Sequence, residues 1–138
     1  MRIDAIVMDC RDAAPLARFW GEALGWSVAP YDEAELARLS TRGIGGPEQD
    51  PTVMLEPPAD TVDLPVFFFT QVPEHKTVKN RMHLDVVAEE DLEAEVERLE
   101  GLGASIYNWA EGDGGVWCVM QDPEGNEFCV MPPDGDAA

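Results

Sequence analysis

The groups in this chain that could do chemistry crowd into one stretch. Val72 to Val86, VPEHKTVKNRMHLDV, holds both histidines (His75, His83) and three of the nine basic residues (Lys76, Lys79, Arg81). An imidazole changes charge near neutrality, and a carboxylate such as Asp85 beside it favours the charged form. The alternation from Arg81 to Val87 predicts a strand. Met82, Leu84 and Val86 fall on its apolar face; Arg81, His83, Asp85 and Val87 fall on the other. An imidazole and a carboxylate on an inward face need polar partners or water. A binding cleft is therefore expected around this strand.

Further along, Glu127 opens the last predicted strand, just after the turn Asp122-Pro123-Glu124-Gly125. His83 and Glu127 have the right types for proton abstraction next to a carbonyl. They also suit a plainer role, an imidazole satisfied by a nearby charge. Lys76, Lys79 and Arg81 could draw an anionic ligand towards the cleft. Local pairing with neighbouring carboxylates explains the same residues, and such pairs are individually weak. Arg81 shares the parity of His83 and is the best ligand contact of the three. Phe69, Gln71 and Trp117 lie on strands expected to flank the cleft, where aromatic walls suit a planar or apolar small molecule. Trp20 belongs instead to the apolar face of a helix. Cys129 shares a face with Glu127 and reads as a buried, inert thiol.

Bulk composition narrows the partners. A net charge of −19 argues against nucleic acid and anionic membrane surfaces. No apolar run is long enough for a membrane span, and Met1-Arg2-Ile3-Asp4 does not open a signal-peptide core. Cys10, Cys118 and Cys129 are odd in number and far apart, which suits reduced thiols in a cytoplasmic protein. With 138 residues, the chain is expected to form one domain, or two small modules sharing a core.

The elements that must position these groups follow from the patterning. Arg2 to Asp9 suits a strand. Leu16, Phe19, Trp20, Ala23 and Leu24 then trace one face of a helix, with Asp12 as N-cap and Gly25 past its end. Trp26 to Ala29 is a short strand. Asp32 to Arg42 is a small helix with a capping-box start and a stop at Gly43. Thr52 to Glu56 and Val66 to Val72 are strands. After the central stretch, Glu89 to Leu102 is a helix with Leu92, Val96 and Leu99 inward, ended by Gly103. Ala104 to Trp109, Val116 to Gln121 and Asn126 to Met131 are strands. Glu111 to Gly115 serves as a lid or as a plain hairpin, and the tail from Pro132 should fray. The order strand, helix, three strands thus occurs twice. Leu24-Gly25 and Leu102-Gly103 lie 78 residues apart, and the same shift carries Ala5 onto His83.

Three segments carry a family likeness: Phe19-Trp20 with Leu24-Gly25-Trp26, then VPEHKTVKNRMHLDV, then VWCVMQDPEGNEFCV at 116–130. Over nearly its whole length the sequence resembles the vicinal oxygen chelate superfamily, specifically glyoxalase and bleomycin-resistance-like proteins. The resemblance implies an α+β fold of two βαβββ modules, about 1–73 and 80–132, forming a curved mixed sheet around a cleft with helices outside. In the metal-dependent members it implies one divalent ion, held by ligands from the first and last strands of both modules. Carried over by position, the second module supplies His83 and Glu127. The first supplies Ala5, which cannot ligate, and Phe69 or Gln71 in place of a carboxylate. Two protein ligands do not make a tight site. The expectation is therefore no resident cofactor; any ion at His83 and Glu127 would be Ni, Zn, Fe or Mn. The resemblance further implies a small-molecule ligand and a homodimer. Its function classes are a binding protein with a His83/Glu127 cleft, or a lyase, isomerase or dioxygenase acting on a small carbonyl or aromatic substrate.

Overall fold

The computed structural model describes residues 1–133. The part of the tail beyond them, expected to fray, lies outside the described residues. The chain divides into two compact units, Met1–His75 and a second that begins at Lys76. The first contains β1 (Ala5–Cys10), α1 (Ala13–Leu24), β2 (Ser27–Val28), α2 (Glu33–Ser40), β3 (Thr52–Glu56) and β4 (Val66–Gln71). The second contains β5 (Asp85–Val87), α3 (Leu92–Leu102), β6 (Ser105–Gly112), β7 (Gly115–Gln121) and β8 (Glu127–Met131). The sheets have the same strand order, β1-β4-β3-β2 and β5-β8-β7-β6. In each, the first strand runs parallel to the last and the other pairings are antiparallel. The fold is α+β, two βαβββ modules, as the internal repeat requires.

Alternation explains each core. In β3 and β4, Val53, Leu55, Phe67 and Phe69 are buried, and they form one face because Val53 pairs with Phe69 and Leu55 with Phe67. That face meets α1: a Cβ on Gly21 would lie 3.2 Å from the Leu55 side chain. Leu16, Phe19 and Trp20 complete this core from the helix. In the second unit Cys118, Met120, Phe128 and Val130 are buried beside Val96 and Leu99 of α3. Both long helices end on a glycine in the left-handed region, Gly25 (φ 69°) and Gly103 (φ 115°), which a side chain would strain.

Several boundaries differ from the sequence expectation. α2 starts as expected, with the Asp32 side chain accepting from the Glu35 amide, but it ends at Ser40. β6 runs on to Gly112, and Gly112 pairs with Gly115. The segment weighed as a lid is thus a tight hairpin turning at Asp113-Gly114. The larger difference is β5. It holds only Asp85 to Val87, and Arg81 to Leu84 lie outside it. Consequently Met82 is 84% exposed rather than packed on a helix. The approach to β5 is pinned to β8 by one backbone bond, from the Cys129 amide to the Leu84 carbonyl at 2.9 Å, and by the Asn80 side-chain amide, which donates to the Glu127 carbonyl at 3.3 Å.

Candidate functional site

The strand register decides which residues share a surface. In the second unit Asp85 pairs with Cys129, Cys129 with Val119, and Gln121 with Glu127. Period-two alternation then puts Glu127, Cys129, Met131, Trp117 and Val119 on the face opposite the core. Asp85 joins them, and His83 two residues earlier reaches the same side. These residues line a pocket of about 370 Å³, with Tyr107, Asn108 and Ala110 from β6 and Lys79 from the preceding loop. The volume falls within the ~300–1,000 Å³ range of small-molecule sites. Across the strand order β5-β8-β7-β6, Tyr107 on β6 and Trp117 on β7 form an aromatic end, and Asp85 on β5 with His83 before it forms a polar one, with Glu127 on the adjoining β8.

At the polar end the groups divide into two sets. The His83 Nδ1 lies 3.0 Å from Asp85 Oδ1, with side chains 43% and 56% exposed. That geometry suits an Nδ1–H donating to the carboxylate, which leaves Nε2 with its lone pair. Cys129 completes this set: one donor atom from each of His83, Asp85 and Cys129 lies within 4.8 Å of the others. Burial raises the Cys129 thiol above its ordinary range, and the Asp85 carboxylate, which accepts a bond from it, adds to the effect.

Glu127 is engaged elsewhere. Its carboxylate meets the Lys76 ammonium at 3.0 and 3.1 Å and accepts from the Asn80 amide at 3.0 Å. The side chain is only 8% exposed and that of Lys76 19%. Burial pushes the Glu127 carboxyl up, but the Asn80 amide and the Lys76 ammonium outweigh it and hold the group below the usual glutamate range. Lys76 also donates to the Val78 carbonyl at 2.7 Å. Of the two readings of the basic cluster, Lys76 takes the local one, as the partner of a buried carboxylate.

The remaining sequence candidates sit as follows. Trp117 lines the second-unit pocket. Phe69 is fully buried in the first unit's core, and its neighbour Phe68 faces a cavity on the opposite side of the sheet. Gln71 is exposed and donates to the Arg11 carbonyl at 3.0 Å. Arg81 is exposed in the loop before β5, and Lys79 rather than Arg81 lines the pocket. The parity argument for Arg81 required a strand long enough to include it. Asn80, Tyr107 and Phe68 are not singled out by the sequence, and Lys79 enters there only as a member of the basic cluster. Phe68 was within reach, because the alternation of β4 left two faces to choose from.

The first unit has its own cavity, about 780 Å³, between α2 and the sheet face carrying Met54 and Phe68. Its charged lining is largely satisfied internally. Arg38 holds Glu35 through two bonds of 2.9 and 2.6 Å, and the Tyr31 hydroxyl donates to Asp50 at 2.9 Å.

The register also tests the ion that the resemblance implies. In the first unit Ala5 pairs with Val66 and Val7 with Phe68. The 78-residue shift relates Val7 to Asp85, whose partner is Cys129. Phe68 therefore corresponds to Cys129, and Val66, two residues earlier, to Glu127. The counterpart of Glu127 is Val66, not Phe69 or Gln71. With Ala5 and Val66 the first unit offers no donor at these positions, and Glu127 is held by Lys76 and Asn80. The His83/Glu127 set does not fit a divalent ion.

Two modules of this order, each with one parallel and two antiparallel pairings, define the glyoxalase class of α+β proteins. The chain belongs to the glyoxalase-like domain family, whose model matches residues 5–131. No curated protein matches the sequence. Solved structures share the fold at low identity. A glyoxalase/bleomycin resistance protein/dioxygenase family enzyme from Burkholderia phytofirmans PsJN is 17% identical, with a TM-score of 0.60 over 96% of this chain and 98% of that one. A possible glyoxalase from Bacillus cereus is 13% identical, with a TM-score of 0.62 over 95% and 98%. A glyoxalase-related enzyme from Fulvimarina pelagi is 16% identical, with a TM-score of 0.61 over 96% and 88%. At these identities the likeness shows the fold alone. No helix among the described residues is long and apolar enough to cross a membrane.

Proposed function

We propose that the protein binds a small molecule with a planar apolar body and one polar head in the second-unit pocket. The observation that carries this is the pocket's two-ended lining, with Tyr107 and Trp117 at one end and the His83–Asp85 pair at the other. The body would stack on the aromatic end. The head, a hydroxyl, would donate to the His83 Nε2 or to the Asp85 carboxylate. Glu127 serves as a structural anion, because both of its oxygens are occupied. Binding is read from quenching of tryptophan fluorescence and from calorimetry, with 4-nitrocatechol as probe and a chelator present. Saturable binding that Trp117→Ala weakens at least ten-fold supports the reading. Equal binding by wild type and Trp117→Ala, or none by either, overturns it.

A catalytic reading rests on the same His83–Asp85 pair. A carboxylate at Nδ1 orients the ring and leaves Nε2 to take a proton from a carbon beside a carbonyl. Turnover of a small 2-oxoaldehyde or catechol, lost in His83→Gln with binding retained, would move the assignment from a binding protein to a lyase, isomerase or dioxygenase.

Homodimerisation belongs to this proposal. Ile106, Tyr107 and Trp109 of β6 and Val116 of β7 leave large apolar groups exposed in the single chain, surface of the kind that subunit contacts cover.

A further inference from the structure

We propose that His83, Asp85 and Cys129 form a three-donor site for a borderline-soft divalent ion such as Zn²⁺, built entirely within the second unit. The site differs from the His83/Glu127 set in replacing the locked carboxylate with a thiol and adding an aspartate. It arises from the sheet itself. The parallel register sets Asp85 beside Cys129, and His83, just before β5, is held to Asp85 and lines the same pocket. One donor atom from each lies within 4.8 Å of the other two, and Nδ1 to Oδ1 is already 3.0 Å. Tetrahedral zinc with nitrogen, oxygen and sulfur ligands needs donor separations of about 3.3 to 3.6 Å. Small side-chain rotations therefore suffice.

The donor set selects the ion. A thiolate with an imidazole and a carboxylate suits zinc, or cobalt as its spectroscopic stand-in, over the hard ions magnesium and calcium. Three protein donors leave one position open, which is the arrangement of sites that also take a water or a ligand atom. Here that position faces the pocket, because all three residues line it.

Charge and protons balance without a further reactant. Binding releases the Cys129 thiol proton to solvent. The imidazole stays neutral, and its proton moves from Nδ1 to Nε2 if Nδ1 takes the ion. The carboxylate is already anionic. Affinity should therefore rise with pH as the thiol proton becomes easier to displace.

The site shares its pocket with the proposed ligand but does not rest on ligand binding. The test is titration of the reduced, metal-free chain with Co²⁺, followed in the near-ultraviolet for the thiolate-to-cobalt charge-transfer band. Competition with Zn²⁺ against a chromophoric chelator then gives the affinity. Wild type and Cys10→Ser, which alters a thiol of the first unit, should show the band at one ion per chain. Cys129→Ser should abolish it. His83→Ala and Asp85→Asn should each weaken Zn²⁺ binding at least ten-fold. Glu127→Gln, checked for folding by circular dichroism, should keep the band. No band in wild type, a band surviving in Cys129→Ser, or cobalt bound without a thiolate band each overturns the proposal. Binding of 4-nitrocatechol in the presence of a chelator is independent of all these outcomes, so failure of the ion site and failure of the ligand pocket are distinguishable.

Discussion

Replacing Glu127 by glutamine tests whether this carboxylate is a structural anion. The amide keeps an oxygen for the Asn80 N–H but loses the charge and sets an NH₂ group towards the Lys76 ammonium. Removing one member of a buried ion pair costs about 3–5 kcal/mol when the other is left unpaired. Lys76 retains the Val78 carbonyl and is 19% exposed, so the cost falls at or below the bottom of that range, about 2–3 kcal/mol. For a chain of this size that corresponds to a fall of about 10 °C in Tm. Urea denaturation monitored by tryptophan fluorescence gives the free energy directly. The pH dependence has a definite sign. The folded carboxyl is held below the ordinary glutamate value, so its contribution is fully present above about pH 4.3 and drains away as pH falls through the lower folded pKa. The gap between wild type and Glu127→Gln should be constant near neutrality and narrow in acid. Exchanging both partners, Glu127→Gln with Lys76→Met, should recover stability, with a coupling of about 2 kcal/mol. A Glu127→Gln variant within about 0.5 kcal/mol of wild type at pH 7, or a gap unchanged in acid, would refute this account and free Glu127 for a catalytic role.

Other consequences are equally open to measurement. Asp122 is buried and accepts from the Glu124 and Asn126 amides at 2.9 and 3.0 Å and from the Asn126 side chain. Asp122→Ala should therefore cost about 1–3 kcal/mol in urea melts, because three half-buried donors lose one buried acceptor. Gly103→Ala forces a side chain into the left-handed region and should cost about 1–2 kcal/mol; a neutral outcome would contradict the cap. Burial raises the Cys118 thiol to about 11 and also raises Cys129. Both should react slowly with a disulfide reagent at pH 8 in the native protein and quickly in urea. Sedimentation should give twice the 15.2 kDa of the chain; a monomer mass at micromolar concentration would sink the dimer proposal.

The sequence by itself determined the architecture. Hydrophobic periodicity marked α1 and α3, glycines closed them, and the repeated order of elements fixed two βαβββ modules. These are local signals, written in residues a few positions apart, and both cores obey them. The 78-residue shift also picked out His83 before any register was known. Only tertiary structure decided what surrounds His83. Alternation along β4 defines two faces without saying which meets α1; the pairing of Leu55 with Phe67 and the approach of Leu55 to Gly21 put Phe69 in the core and leave Phe68 on the open face. The partner of Glu127 was equally beyond local reading. A charge-assisted bond between Lys76 and Glu127 joins residues 51 apart in the chain, and no spacing rule reaches that far. The same holds for Cys129, whose neighbour Asp85 comes from a parallel strand 44 positions earlier in the sequence. Parallel register is set by the packing of a whole module, with α3 between the two strands. The sequence could name the donors, but only the folded sheet could bring them together.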